Sequence, residues 1–286
     1  MWDGGVGVGG PMSLSFDSTV LLNHGIRMPV LGLGVFQTPP GRATLDAVLA
    51  AFDAGYRLID TARIYGNEAD VGEAIRASDL SRDEIFVTTK LWNTDHGYDE
   101  ALRAFETSRR RMGLDHVDLY LIHWPVQGAR LESWKALTRL LKEGRCRAIG
   151  VSNYMVHHLD ELVGAADVVP AVNQIEVSPF LQPRAAIARS KDLGIQVEAY
   201  SPLTKARRLR DATLRAVAGH VGRSPAHVLL RWGLQKGFVV IPKSARPERI
   251  RENAAVFDFE LSVEDMALLD GLDEGLHTGW NPEAAP

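Results

Sequence analysis

A carboxylate at Asp60 and a phenol at Tyr65 stand five residues apart in GYRLIDTARIYGNE, residues 55–68, where an apolar run gives way to a polar segment. Later apolar runs close in the same way, on Lys90, His123, Ser152 with Asn153, Tyr200 and Lys243, with Gln174 just inside the end of its run. A carboxylate, an ammonium, a phenol and an imidazole gathered at one place can move a proton. An unperturbed phenol titrates near about 10, and a nearby ammonium stabilises phenolate, so Lys90 beside Tyr65 is expected to lower that value and make a usable donor. Asp60 would hold Lys90 ionised and in position, and His123 could donate a hydrogen bond that orients a carbonyl oxygen. Such a set is equipped to protonate an alkoxide as it forms, without a metal or a covalent intermediate.

Each group alone has a plainer explanation. Asp60 could cap the following helix, Tyr65 could be packing, Lys90 a snorkelling strand end and His123, in LIHWP, a satisfied core histidine. Their joint delivery to one rim is what favours chemistry, and that depends on the elements that carry them.

Short apolar runs lie near 31–36, 57–60, 85–90, 117–122, 146–151, 171–175, 195–200 and 238–242, which reads as eight strands. Helical periodicity fills the intervals near 43–54, 67–77, 99–112, 131–143, 155–164, 183–193, 211–235 and 247–254. The long stretch 211–235 is expected to be two helices, restarting at Ser224-Pro225. LSFDSTVLLNHGIRMP alternates about a turn at Asn23 to Gly25 and predicts a leading hairpin, and LSVEDMALLDGL predicts a further helix capped by Ser262. Eight βα units without a linker or composition break predict one α/β domain, a (β/α)8 TIM barrel, with the N-terminal hairpin and extra helices near the C-terminus. In such a barrel the C-terminal strand ends face the active site.

The remaining features narrow the function classes. The chain has 286 residues, a net charge of -4 and a pI near 6.1, so no positive field favours nucleic acid or an anionic membrane. No apolar run of about 18 residues is present, and Cys146 is the single cysteine, so a reducing cytoplasm is the expected setting. Cys146 itself reads as a small buried hydrophobe at a strand start. Small molecules are the expected partners, and with no coiled-coil segment the expected state is a monomer.

Residues 1–12, MWDGGVGVGGPM, read as a disordered Gly-rich leader before a domain of residues 13–286. Gly5, Gly7 and Gly10 match G-x-G-x-x-G, but no strand precedes them and no helix follows, so they are not read as a dinucleotide loop. His157 and His158 are adjacent rather than helically spaced, and no H-E-x-x-H or G-x-S-x-G occurs, so neither a metal centre nor a nucleophile elbow is expected.

With these motifs in hand the chain, from about residue 14 to 281, resembles the aldo-keto reductases. The likeness rests on GYRLIDTARIYGNE, TTKLWN, LIHWP, AIGVSNY, NQIEVSP, AYSPL and IPKSARPERIRENAAVFDFEL. It implies NADPH-dependent interconversion of carbonyls and alcohols by the tetrad Asp60, Tyr65, Lys90 and His123, with Tyr65 as the acid. It also implies an NADPH/NADP+ molecule extended over the rim. Tyr200 would stack on the nicotinamide, Ser152, Asn153 and Gln174 would hold its carboxamide, and Ser201 and Leu203 would follow the pyrophosphate. Lys243, Ser244 and Arg249 would hold the 2'-phosphate and adenine, with Glu252 and Asn253 near the adenine amino group. A Lys before a helix and an Arg within it also make a physically sound anion site.

On the substrate side the resemblance places Phe36, Trp92 and Trp124 in the pocket, with Trp280 reaching it from the tail; Trp134 and Trp232 lie on helical faces and read as core. The short connections after His123 and Tyr200 resemble the bacterial 2,5-diketo-D-gluconate reductase and prostaglandin F synthase type, and imply an open site for carbonyl substrates. Arg207, Arg208 and Arg210 read as a solvated face. Two rivals are a Schiff-base aldolase using Lys90 or Lys243, which an adjacent Asp60 disfavours, and a nucleotide sensor without turnover.

Overall fold

The computed structural model describes residues 14–284. The Gly-rich leader and its G-x-G-x-x-G lie outside them. Strands β1 (Thr19–Leu21) and β2 (Arg27–Pro29) form the leading antiparallel hairpin, with Gly25 at φ 83° in its turn, a left-handed value that suits glycine.

Eight parallel strands follow, hydrogen-bonded in sequence order: β3 (Gly32–Gly34), β4 (Leu58–Asp60), β5 (Phe86–Leu91), β6 (Val117–Ile122), β7 (Cys146–Ser152), β8 (Val172–Glu176), β9 (Gln196–Tyr200) and β10 (Val239–Ile241). The ring closes between the last and the first, through bridges Leu31–Val240 and Gly34–Lys243. The Gly34 N–H donates to the Pro242 carbonyl at 3.0 Å and the Val240 N–H to the Val30 carbonyl at 2.9 Å. The apolar-rich runs of the sequence are strands, and β5 and β6 are buried on both faces, as a barrel requires.

The surrounding helices are α1 (Arg42–Asp53), α2 (Glu68–Ala77), α3 (Tyr98–Met112), α4 (Arg130–Lys142), α5 (Val156–Ala165), α6 (Arg184–Asp192), α7 (Ala212–His220), α8 (Pro225–Gln235) and α9 (Pro247–Ala254), with α10 (Val263–Asp270) after the barrel. Their ends follow local chemistry. Ser224 accepts from the His227 N–H and Pro225 opens α8, whereas Ser262 and Asp265 form a reciprocal capping box that starts α10.

Two layers of core result. One lies between strands and helices; the other fills the barrel with Leu58, Phe86, Leu119, Val172 and Val239, and is plugged at the N-terminal end by Leu22 and Met28 of the hairpin. Close approach dictates two glycines. A Cβ at Gly150 would lie 2.5 Å from the Val172 carbonyl oxygen, and one at Gly72 would lie 1.9 Å from that of Met112, where α2 packs on α3. Cys146 is buried at the start of β7, and burial pushes its thiol up. Trp134 and Trp232 are buried too, donating to the Val168 carbonyl and the Asp270 carboxylate. Among the described residues no helix is long and apolar enough to cross a membrane.

Candidate active site

Because the strands are parallel and in sequence order, Asp60, Lys90, Ser152 and Tyr200 all emerge at the same end of the ring. Asp60 ends β4, and the chain then makes a 3-10 turn at Arg63–Tyr65 that brings the phenol back over that strand end. Arg63 pairs with Asp95 on the neighbouring loop, and Thr61 donates to Asn67 at 2.8 Å, so both flanks of the turn are tied.

Lys90 is fully buried, and its ammonium donates to both oxygens of Asp60 at 2.7 Å and to the Thr61 carbonyl at 2.9 Å. All three donors of the ammonium are therefore satisfied by one carboxylate and one carbonyl. A sealed pair of this kind is held by geometry, and removing either partner would strand a charge. The Lys90 nitrogen lies 5.2 Å from the centre of the Tyr65 ring. His123 follows β6, edge-on to Tyr65 with centroids 5.7 Å apart and to Trp92 at 5.2 Å.

The electrostatics correct one expectation. Lys90 does not lower the Tyr65 phenol here: burial first, then Asp60 and Glu198, push it well above its ordinary value. Lys90 is paired with Asp60, and at the phenol burial together with the two nearby carboxylates outweighs its charge. Burial and then Lys90 hold the imidazole of His123 well below its usual range, so the ring is neutral and suited to donate one hydrogen bond.

A cavity of about 580 Å³ opens above this group. Asp60, Tyr65 and His123 lie at its wall, with Phe36, Trp92, Trp124 and Trp280 around them; Lys90 stands behind. Phe36 packs on Tyr65 at 5.0 Å between centroids, and Trp124 on Trp280 at 5.8 Å. The opposite wall carries Ser152, Asn153, Gln174, Tyr200, Ser201, Leu203 and, at the rim, Lys243.

The polar wall is internally tied. The Tyr200 hydroxyl donates to Asn153 Oδ1 at 2.9 Å, Asn153 Nδ2 donates to the His123 carbonyl at 3.0 Å, and Ser152 Oγ donates to the Gln174 carbonyl at 2.8 Å. Asn153 and Ser201 hold left-handed backbone, φ 64° and 50°, which costs a non-glycine residue of the order of ~1 kcal/mol and is common where a chain is shaped for a ligand. Gln174 directs its Nε2 at two carboxylates, Asp60 Oδ2 and Glu198 Oε2, each at 2.8 Å, which fixes its amide orientation.

The adenine-side candidates are placed apart from the cavity wall. Ser244 is buried and binds the backbone of Arg246, while Glu252 lends its carbonyl to His227. Arg249 and Glu252 are exposed on α9 and Asn253 is buried there. The Arg249 side chain makes no hydrogen bond or ion pair among the described residues.

Five side chains of the site were not among the candidates read from the strand ends. Glu198 sits in mid-strand, buried, and accepts from the Gln174 amide that also donates to Asp60. Glu176 accepts from the Thr278 N–H at 2.9 Å and from its hydroxyl, seating the tail so that Thr278, Gly279 and Trp280 line the cavity. Lys205 also lines it and donates to the Thr278 carbonyl at 3.0 Å. Arg207 and Arg208, expected as a solvated face, bind the His277 carbonyl and Glu274 of the same tail. Among the described residues no group of three His, Cys, Asp or Glu side chains is placed to hold a metal.

Comparison with known proteins fits this geometry. The model of the aldo/keto reductase family matches residues 30–274. The chain belongs to that family. It is 50% identical over 276 residues to morphine 6-dehydrogenase of Pseudomonas putida, covering 91% of this chain and 93% of that one. It is 48% identical over 272 residues to glyoxal reductase of Bacillus subtilis, covering 95% and 99%. Among crystal structures, a mutant of Gox0644 in complex with NADPH superimposes with a TM-score of 0.89 at 44% identity, covering 94% of this chain and 98% of that one. An aldo-keto reductase fold and NADP(H) as the cofactor follow for this chain.

Proposed function

We propose that this protein is an NADPH-dependent carbonyl reductase that converts aldehydes and ketones, including α-keto and dicarbonyl compounds, to alcohols. The observation that carries the reading is the sealed Asp60–Lys90 pair beneath Tyr65 and His123 at the foot of an aromatic cavity. A relative named as a glyoxal reductase supports the dicarbonyl end of that range.

The residues present suit the cofactor. Among the described residues the Lys243 ammonium at the rim bonds the Gln37 carbonyl alone and has donors to spare, the Arg249 side chain has no partner there, and Ser152, Asn153, Gln174 and Tyr200 offer a polar wall. These groups, with Ser201, Leu203, Ser244, Glu252 and Asn253, would hold NADPH. When bound, it supplies hydride to the carbonyl carbon. The chain does the rest: neutral His123 donates to the carbonyl oxygen and sets its direction, Tyr65 gives its proton to that oxygen as negative charge develops, and Asp60 and Lys90 hold the phenol's surroundings rigid. Phe36, Trp92, Trp124 and Trp280 exclude water and favour apolar or aromatic substrates.

A single domain of residues 13–286, monomeric and cytoplasmic, completes the proposal. Its test is to add NADPH, with NADH in parallel, to a panel of aldehydes, α-keto esters, diketones and keto-sugars and to follow nicotinamide absorbance. Oxidation of NADPH in preference to NADH is expected; tight binding with no turnover of any carbonyl would favour a sensor instead.

A further inference from the structure

The catalytic candidates do not sit on an apolar floor. Among apolar neighbours such as Leu119 and Leu121, four inward-facing positions at and below this level are polar: Asp60 on β4, Thr88 on β5, Gln174 on β8 and Glu198 on β9, all at most 2% exposed. Gln174 and Glu198 are register partners on neighbouring strands, and the Gln174 amide nitrogen bridges Glu198 Oε2 and Asp60 Oδ2 at 2.8 Å each. From the other side β10 offers only Val239 and Ile241 to the barrel interior. Two buried carboxylates thus share one amide and one neighbouring ammonium. A carboxyl buried on an apolar flank with no cation of its own is costly unless it has a purpose in the site or is uncharged. Its second oxygen, Oε1, and the Thr88 hydroxyl are both buried without a hydrogen-bond partner, so the site is not built for stability alone.

We propose that Glu198 is a positioning residue for the carbonyl reduction, acting on Asp60 through the Gln174 amide and on the Tyr65 phenol through its charge. This rests on the carbonyl-reductase reading above. Through the bridge, Glu198 keeps the Gln174 amide turned towards Asp60, which in turn fixes both oxygens on Lys90. The charged and titratable groups that bear on Glu198 are Asp60, Lys90 and Tyr65. Burial first, then Asp60, raise its carboxyl above the ordinary carboxylate range, against the opposing pull of the Gln174 bond and Lys90. Glu198 is therefore uncharged at low pH and ionises as pH rises. Once ionised, its negative charge opposes phenolate and keeps Tyr65 protonated to higher pH, which preserves the acid needed for reduction.

The test compares Glu198→Gln, which keeps an acceptor and removes the charge, with Glu198→Leu, which removes both. In Glu198→Gln the alkaline limb of kcat for reduction is expected to move down by about half to one pH unit, and the rising limb of alcohol oxidation to move down with it. In Glu198→Leu kcat is expected to fall about tenfold, with most of the loss restored by Gln. Infrared difference spectra across the same pH range are expected to show a buried protonated carboxyl band in the wild type that Glu198→Gln lacks. Superimposed pH profiles, an unchanged kcat in Glu198→Leu, or no band that distinguishes wild type from Glu198→Gln would each overturn the proposal. If the wild type reduces no carbonyl at all, it is the functional reading that fails, an outcome distinct from turnover with unshifted profiles.

Discussion

Tyr65 is the residue on which the chemistry turns, because its phenol stands at the cavity wall beside both His123 and the Asp60–Lys90 pair. Tyr65→Phe removes one oxygen and keeps the ring that packs on Phe36, so NADPH binding, followed by quenching of Trp92 and Trp124, is expected to survive. Turnover is expected to drop by about a hundredfold to ten-thousandfold, the usual worth of a positioned acid; unchanged turnover would remove Tyr65 from its role. A second residue-scale prediction concerns stability. His96 bonds Ser133, its other ring nitrogen is buried without a partner, and burial pushes it down to about 4. With a folded value below the unfolded one, near about 6.5, the unfolded chain binds the proton first. Its contribution is thus complete above about pH 6.5 and lost as pH falls towards 4. Urea unfolding of wild type and His96→Asn at a series of pH values should differ by roughly 2–4 kcal/mol in how much stability each loses across that window. Equal losses would refute it.

At the scale of elements, the sequence was legible where physics repeats. Runs buried on both faces are rich in apolar residues; all eight strand runs end within two residues of β3 to β10, and the Ser224-Pro225 restart falls where α8 begins. The residues at strand ends were legible for the same reason. Glu198 was not, because in QVEAY a single glutamate among apolar neighbours carries no sign of which face of the strand points inward. The resemblance brought Trp280 of the tail to the pocket, but what seats the tail was not legible, since HTGWNP has no periodicity and its buried anchor, Glu176, lies far off in the sequence. Nor could spacing show that burial first, and then the charges of Asp60 and Glu198, would push the Tyr65 phenol up. The tail yields a prediction of its own. Glu176→Ala removes the acceptors of the Thr278 N–H and hydroxyl, leaving Lys205, Arg207 and Arg208 to hold the strap. Losing buried hydrogen bonds worth about 1–3 kcal/mol should raise hydrogen exchange in residues 272–284 roughly tenfold or more, and raise KM for bulky carbonyls while that for NADPH holds. A tail as protected as in the wild type would show that Glu176 is not its anchor.

The whole molecule separates its tasks along the barrel axis. Hydrophobic side chains of the hairpin close the N-terminal end, apolar residues fill the lower interior, a polar tier with Glu198 and Gln174 follows, and the cavity opens above it. Met28 is fully buried in the lower plug, touching the interior cluster of Leu58, Phe86 and Val239. Deleting its side chain should leave a cavity that the surrounding strands fill only in part, because each is hydrogen-bonded on both sides around a closed ring. Met28→Ala is therefore expected to lower the unfolding free energy by about 2–5 kcal/mol, read from urea midpoints at constant slope. The same closure that makes the plug costly to lose keeps the strand ends in register, so kcat and both KM values should stay within about twofold of wild type at temperatures where the variant is folded. A stability loss accompanied by a proportionate fall in kcat would mean that strain passes along the strands to the rim, and that the two ends of this barrel are not independent.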